Sequence, residues 1–151
     1  MLFEDHHQAG VLLAEALRYE LLAQPLLLGL GPEGLAVARV VGHHLGWPVH
    51  PFTASGPVPS VTGRTVVLVV HGLEDPAPVA PALQALQGQR PQAIIIATPV
   101  ARRAAVQALQ QAGYRVIALA TPEPFTTITD YYRQPPATWP AAVPPASPPP
   151  A

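Results

Sequence analysis

The feature that most constrains the fold is a run of five aliphatic residues at positions 66–70, Val-Val-Leu-Val-Val. A short run that is rich in β-branched residues and ends near a glycine is typical of a strand buried on both faces of a parallel sheet. Because ligands bind beyond the carboxyl ends of such strands, we expect a functional site in the loop that follows. That loop consists of His71, Gly72, Leu73, Glu74, Asp75, Pro76, Ala77 and Pro78.

Apolar runs and helical patterns alternate on both sides of this strand. The predicted strands cover residues 26–30, 49–52, 66–70, 93–97 and 114–120. The predicted helices cover residues 6–23, 78–86 and 101–112, with one more that begins after residue 30 and is capped by Gly46, and a short last helix near residues 125–132. The alternation predicts an α/β fold with a doubly wound, mainly parallel sheet of about five strands flanked by helices.

The spacing of apolar residues predicts which face of each helix is buried. In the first helix, Leu13, Leu17 and Leu21 recur every four residues and predict a single buried stripe. The same argument selects Val37, Val41 and Leu45 in the second helix, and Val79, Leu83 and Leu86 in the third. A proline at position 81 is compatible with the third helix because it falls in the first turn.

The composition changes near residue 135. The 17 residues from 135 to 151 include eight prolines, which cannot form a helix or join the interior of a sheet. We therefore predict an α/β domain over residues 1–134 and a Pro-rich C-terminal tail over residues 135–151. We expect the tail to pack against its own domain or a neighbouring subunit.

Charge and residue usage exclude several classes of function. The net charge of −1 provides no general attraction to nucleic acid or to anionic membranes. The chain has no cysteine and no lysine, which excludes disulfides, thiolate catalysis and lysine Schiff bases. It has neither a run of about 20 apolar residues nor the basic start of a signal peptide, so we expect a cytoplasmic protein.

A glycine-rich turn follows the first predicted strand. Its sequence, Gly29-Leu30-Gly31-Pro32-Glu33-Gly34, has the spacing of a dinucleotide-binding motif. Three features argue against that function. Pro32 removes a backbone N–H, Glu33 places a negative charge where a pyrophosphate would lie, and no acidic residue follows at the distance expected for a ribose contact.

Histidine and acidic pairs are the other candidates for chemistry. The adjacent pair His43-His44 diverges by about 100° around a helix and is poorly placed to chelate one metal ion. Glu74 and Asp75 can be read as an acid–base or metal-binding pair, or as charges that favour the start of the next helix; we favour the second interpretation. The sequence assigns no catalytic residue and no metal ligand.

Several segments match motifs of one enzyme family. They are Phe3-x-Asp5 with Ala9-Gly10 and Leu13-Ala14, Leu45-Gly46-Trp47-Pro48, Gly63-Arg64-Thr65-Val66-Val67-Leu68-Val69, Pro99-Val100-Ala101, and Thr121-Pro122-Glu123-Pro124-Phe125. Together they resemble the type I phosphoribosyltransferases, most closely a group of bacterial members of unassigned substrate. The resemblance covers most of residues 3–135. It implies a phosphoribosyltransferase fold and, for an active member, Mg²⁺ with phosphoribosyl pyrophosphate (PRPP) as substrate.

The chain departs from this family where PRPP is bound. The family's central strand ends in two acidic residues that hold the ribose hydroxyls, and here Val70 and His71 stand in their place. The phosphate loop G-x-A-T-G-x-T becomes Gly72-Leu73-Glu74-Asp75-Pro76-Ala77-Pro78, and the pyrophosphate loop P-R-G-G becomes Gly31-Pro32-Glu33-Gly34. The segment between the second and third strands is short, which implies a reduced or absent hood and flexible loop. An arginine of the family's first motif is replaced by His6.

These departures predict a phosphoribosyltransferase-like protein that does not bind PRPP and needs no cofactor. We expect it to act as a binding, regulatory or assembly subunit, either as a homo-oligomer or beside an active paralogue. Its ligand site is predicted in the cleft between residues 31–34 and 71–78. The alternative is an enzyme: a phosphoribosyltransferase, or one of altered chemistry that uses His71 with the carboxylates of Glu33, Glu74 and Asp75.

Overall fold

A computed structural model describes residues 2–134, and the predicted Pro-rich tail lies outside these residues. Five strands alternate with helices, as the sequence predicts, except that a loop without a helix joins the second strand to the third. The strands are β1 (Leu26–Leu30), β2 (Val49–Phe52), β3 (Thr65–Val69), β4 (Ala93–Val100) and β5 (Arg115–Ala120). The helices are α1 (His6–Leu17), α2 (Gly31–Leu45), α3 (Ala80–Gln87) and α4 (Arg103–Gln111), followed by a 3₁₀ turn, Ile128–Tyr131.

All five strands are parallel and follow the order β2-β1-β3-β4-β5. The predicted central strand β3 is the middle strand and pairs with β1 on one side and β4 on the other. The chain winds towards one edge through β1 and β2, and towards the other through β3, β4 and β5. The direction reverses between β1 and β3, and the crevice beyond the carboxyl ends of these two strands is where ligands of such sheets bind.

Side chains of β3 point alternately to the two faces of the sheet. Val66 and Leu68 pack with α3 and α4 in one core, whereas Val67 and Val69 pack with α1 and α2 in the other. All four are fully buried. Two helical layers therefore share one strand, which confirms the prediction of a strand buried on both faces.

The first helix is shorter than predicted. α1 ends at Leu17, where Arg18 forms its C-cap, so the predicted extension to residue 23 is wrong. Leu13 and Leu17 are buried as expected, but Leu21 is 100% exposed. The four-residue spacing of leucines continues past the point where the helical backbone stops, and spacing places a side chain on a helix face only while the helix lasts.

Other boundaries move by a few residues. β4 continues to Val100 and α4 begins at Arg103, not at 101 as predicted, because residues 98–100 continue the ladder with β5. The predicted last helix is only the single 3₁₀ turn Ile128–Tyr131. In residues 2–134, none of the helices combines the length and the apolar character needed to cross a bilayer.

The two ends of the described chain are paired. Phe3 forms a parallel bridge with Tyr132, in which the Phe3 N–H donates to the Tyr131 carbonyl and the Arg133 N–H donates to the Phe3 carbonyl. The rings of Phe3 and Tyr132 lie 5.5 Å apart and belong to a third, smaller apolar cluster. This pairing holds the N-terminal segment and residues 131–134 over the carboxyl edge of the sheet.

The core assignment predicts a contrast between two leucines. Leu68→Ala should lower the free energy of unfolding by about 2–5 kcal/mol, because it leaves a cavity beneath α3. Leu21→Ala, the same change at a fully exposed position, should change it by less than about 0.5 kcal/mol. Urea denaturation of both variants measures the difference. Equal losses would contradict the assigned end of α1.

Candidate functional site

Two loops meet at the carboxyl edge of the sheet. The turn from β1 into α2 lies beside the loop from β3 into α3, because β1 and β3 are neighbours. A Cβ atom at Gly34 would lie 2.6 Å from the Val69 carbonyl oxygen, so only glycine allows the first turn of α2 to approach the end of β3 this closely. The sequence predicted that these two loops form one cleft, and the structure brings them together.

A cleft of about 450 Å³ lies between them. The predicted site residues that line it are Glu33, His71, Gly72, Leu73, Glu74, Asp75 and Pro78. Five others, Gly31, Pro32, Gly34, Pro76 and Ala77, belong to the same two loops but are not part of the lining. The lining also includes five residues that were not predicted from the sequence: Leu30, Val70, Val79, Arg102 and Ile128.

The first half of the β3–α3 loop prolongs the sheet. The Leu73 N–H donates to the Val100 carbonyl at 2.9 Å, and the Arg102 N–H donates to the Leu73 carbonyl at 2.8 Å. Leu73 is almost fully buried. These bonds fix the loop beside the end of β4 and leave His71 and Glu74 on the side of the cleft.

The second half of the loop is closed by hydrogen bonds within itself. Asp75 Oδ1 accepts from the Ala77 N–H at 2.8 Å, which is an Asx turn. The Pro76 carbonyl then accepts from the N–H groups of Val79 and Ala80 at the start of α3. The Asp75 carboxylate therefore stabilises the turn before α3, which is a different structural role from the helix-start charge that the sequence favoured.

Glu74 forms an ion pair across the mouth of the cleft. Its Oε2 lies 3.6 Å from Arg102 Nη2, and the side chains are each 43% exposed. The Arg102 guanidinium also lies 5.4 Å from the centre of the Phe125 ring. Arg102 was not predicted as a site residue from the sequence, and its ion pair with Glu74 places it at the mouth of the cleft while it stays partly exposed.

His71 lies at the inner wall of the cleft. Burial lowers the pKa of its imidazole, and the nearby Glu33 carboxylate acts in the opposite direction to a smaller extent. The balance keeps this imidazole neutral at neutral pH. Its backbone carbonyl accepts a hydrogen bond from the Tyr132 hydroxyl, which ties the loop to the C-terminal segment.

His6 and Tyr132 are buried beside His71, outside the lining of the cleft, and their packing there was not predicted from the sequence. Their rings are stacked with centres 4.1 Å apart, and the His6 and His71 rings lie 5.7 Å apart. Burial is the main cause that lowers the pKa of His6 to about 4, with His71 acting in the same direction and Asp5 against it. Burial also raises the pKa of Tyr132. The signal that could have found His6 was its position in the first family motif, where an arginine is usual.

The carboxylates and histidines of the cleft were considered as a metal site. Within residues 2–134, no three His, Asp or Glu side chains are grouped closely enough to hold a metal ion. This contradicts the version of the altered-chemistry hypothesis in which Glu33, His71, Glu74 and Asp75 converge as metal ligands. His43 and His44 are both exposed on α2, outside the cleft.

Comparisons with known proteins identify the fold. TT1426 from Thermus thermophilus is 26% identical, with a TM-score of 0.80 over 89% of this chain and 91% of that one. Mycobacterium tuberculosis orotate phosphoribosyltransferase, in complex with PRPP, is 22% identical, with a TM-score of 0.62 over 76% of this chain and 71% of that one. The purine phosphoribosyltransferase of Pyrococcus horikoshii is 18% identical, with a TM-score of 0.55 over 79% and 90%.

These neighbours establish an α/β fold of the type I phosphoribosyltransferase kind. Neither a protein-family model nor a curated protein sequence matches the chain. The similarity therefore concerns the arrangement of strands and helices, and the chemistry of the cleft has to be argued from its own residues.

The buried His6 predicts a loss of stability in acid. Its pKa of about 4 in the folded chain lies below the ordinary value of 6.5, so the unfolded chain binds the proton more readily. The neutral His6 therefore contributes its full stabilisation to the folded chain above pH 6.5, and this contribution declines as the pH falls towards 4. The free energy of unfolding should fall by on the order of 2 kcal/mol between about pH 7.5 and pH 5. Urea denaturation of the wild type at several pH values measures this slope.

The matched variants are His6→Phe and His7→Phe, since His7 is the exposed neighbour on the same helix. His6→Phe keeps a ring against Tyr132 but cannot be protonated, so its stability should depend less on pH. His7→Phe should retain the wild-type slope. If His6→Phe and the wild type gave the same slope, the assignment of acid sensitivity to His6 would be wrong.

Gly72 is predicted to be required for the close approach of the β3–α3 loop to Ile128 in the 3₁₀ turn. A Cβ at Gly72 would lie 2.4 Å from Ile128 Cγ2, so Gly72→Ala should displace the 3₁₀ turn and lower stability by about 1–3 kcal/mol. Adding Ile128→Ala should recover part of this loss. Gly88→Ala is the control, because its Cβ would meet only the Ala85 carbonyl at 3.5 Å. Equal losses of stability in urea for Gly72→Ala and Gly88→Ala would show that Gly72 does not pack closely against Ile128.

Proposed function

We propose that this chain is a phosphoribosyltransferase-like protein that neither binds PRPP nor transfers its phosphoribosyl group, and that acts as a binding, regulatory or assembly subunit. The observation that carries the proposal is the Asx turn in the β3–α3 loop. Asp75 Oδ1 accepts the Ala77 N–H at 2.8 Å, in the loop that the family resemblance assigns to the 5′-phosphate. A side-chain carboxylate thus takes a backbone donor that a phosphate would otherwise use.

Proline removes further donors from the same loop. Pro76 and Pro78 have no N–H, and the Leu73 N–H is already bonded to the Val100 carbonyl. A phosphate cradle depends on several backbone amides that point to one place. The loop keeps its position at the end of β3 while most of these amides are missing or used internally.

The charge of the cleft also opposes an anionic substrate. Glu33, Glu74 and Asp75 line it, and Arg102, the one arginine among the described lining residues, is paired with Glu74 at 3.6 Å. Two like charges 4 Å apart repel by about 1 kcal/mol in water and about 4 kcal/mol near a protein surface. PRPP carries several negative charges, so the repulsion would act on each phosphate that enters.

The ribose contacts of the family have no counterpart among the described residues at the end of β3. Val70 is 5% exposed and packs in the core beneath α3, so it presents no oxygen to a diol. His71 follows it, and its carbonyl is engaged by the Tyr132 hydroxyl. These contacts hold the loop in place, which suits a binding or assembly role better than transfer of a phosphoribosyl group from PRPP.

The proposed function also implies a protein partner. A subunit that retains the fold without the reaction would act as a homo-oligomer or in a complex with an active paralogue, with an unidentified small molecule in its cleft. The competing function is a surviving phosphoribosyltransferase with unusual contacts. The two are separated by the affinity for PRPP, because transfer requires that PRPP binds first.

Isothermal titration with PRPP and Mg²⁺ tests the proposal. The wild type should give no binding heat up to about 1 mM PRPP, since the phosphate donors are lost and the cleft is anionic. Mycobacterium tuberculosis orotate phosphoribosyltransferase, which has been crystallised with PRPP, is the positive control.

A loop variant serves as the matched control within the chain. The combination Glu74→Ala, Asp75→Thr, Pro76→Gly and Pro78→Thr restores donors and removes two charges, so it should bind PRPP more tightly than the wild type. Micromolar binding by the wild type, or transferase activity with a nucleobase, would overturn the proposal.

A further inference from the structure

We propose that the cleft between the β1–α2 turn and the β3–α3 loop binds a small organic cation, an amine or amidine with an apolar body, whose charge is met by Glu33. The inference rests on the proposed function, because the same space would be occupied by PRPP in an active transferase. It names the class of ligand that the cleft favours.

Most acidic side chains of the chain already have a partner. All nine Asp and Glu residues of the chain lie within residues 2–134. Five form ion pairs with arginine: Glu4, Glu15, Glu20, Glu74 and Glu123. Asp5 and Asp75 accept hydrogen bonds from backbone N–H groups. Of the two that remain, Asp130 is exposed on the 3₁₀ turn and Glu33 lies in the cleft.

The described residues of the cleft hold no spare positive charge for Glu33. Arg102 is paired with Glu74 and lies over the Phe125 ring. The His71 imidazole is neutral at neutral pH because burial lowers its pKa. The N-terminus of α2 contributes only a partial charge of about +0.5, which leaves the Glu33 carboxylate incompletely balanced.

The size of the cleft and its aliphatic walls favour a small ligand with an apolar body. The cleft volume of about 450 Å³ lies within the range of small-molecule sites. Its aliphatic lining comes from Leu30, Val70, Leu73, Val79 and Ile128, on both loops and on the 3₁₀ turn. A strongly hydrated metal ion or a bare polyamine gains nothing from such walls, whereas an apolar group beside an ammonium does.

Three probes of nearly the same shape test the ligand class. They are 2-phenylethylammonium, neutral 2-phenylethanol and anionic 3-phenylpropanoate, titrated against the full chain at pH 7.5 and followed by NMR. The cation should bind with a dissociation constant below about 1 mM, and at least about tenfold more tightly than either of the other two. Shifts should be concentrated at the amides of residues 71–75.

Two variants test whether the Glu33 carboxylate provides the negative charge that binds the cation. Glu33→Gln should weaken binding of the cation by about tenfold without changing the affinity for 2-phenylethanol, since it removes the charge and keeps the shape. Glu15→Gln is the matched control, because Glu15 is an exposed acid on α1 that pairs with Arg18 outside the cleft. It should leave all three affinities unchanged.

The outcomes separate this inference from the proposed function. No binding of the cation, equal or tighter binding of the anion, or a cation affinity that Glu33→Gln leaves unchanged would each overturn the inference while PRPP still fails to bind. Binding of PRPP at micromolar affinity overturns both. Tight, Glu33-dependent binding of the cation with no binding of PRPP supports both.

Discussion

The burial of β3 on both faces is the constraint on which the rest of the structure depends. Val66 and Leu68 anchor the layer of α3 and α4, and Val67 and Val69 anchor the layer of α1 and α2. Because β3 also pairs with both β1 and β4, neither helical layer nor the sheet can form without it. The same placement fixes the cleft, since the loops that leave β1 and β3 emerge side by side at the carboxyl edge.

The cleft lies where ligands of such sheets bind, but several of its polar groups bond to one another. Asp75 caps its own loop, Glu74 pairs with Arg102, and the Tyr132 hydroxyl is bonded to the His71 carbonyl. Each bond satisfies a polar group within the chain itself. Glu33 is the exception, and an incompletely balanced carboxylate among aliphatic walls is what gives the cleft a chemical preference of its own.

Much of the fold could be predicted from the sequence, because it depends on local periodicity. The five strands, their alternation with helices and the inward faces of α2 and α3 follow from apolar spacing. Leu21 shows the limit: the spacing that buries Leu13 and Leu17 continues after the helix has stopped. Both loops of the cleft were predicted, since strand ends are marked by glycine, proline and charge.

The packing of His6 against Tyr132 could not be predicted, because 126 positions separate them in the chain and only tertiary packing brings their rings to 4.1 Å. The partner of Glu74 was missed for the same reason. The proposed loss of PRPP binding depends on the backbone of the β3–α3 loop, and the Ala77 amide reports on this backbone most directly. In ¹⁵N-resolved NMR this amide should be protected from exchange and unmoved when PRPP and Mg²⁺ are added. A large PRPP-dependent shift of the Ala77 amide would show that the loop still binds phosphate and would contradict the account.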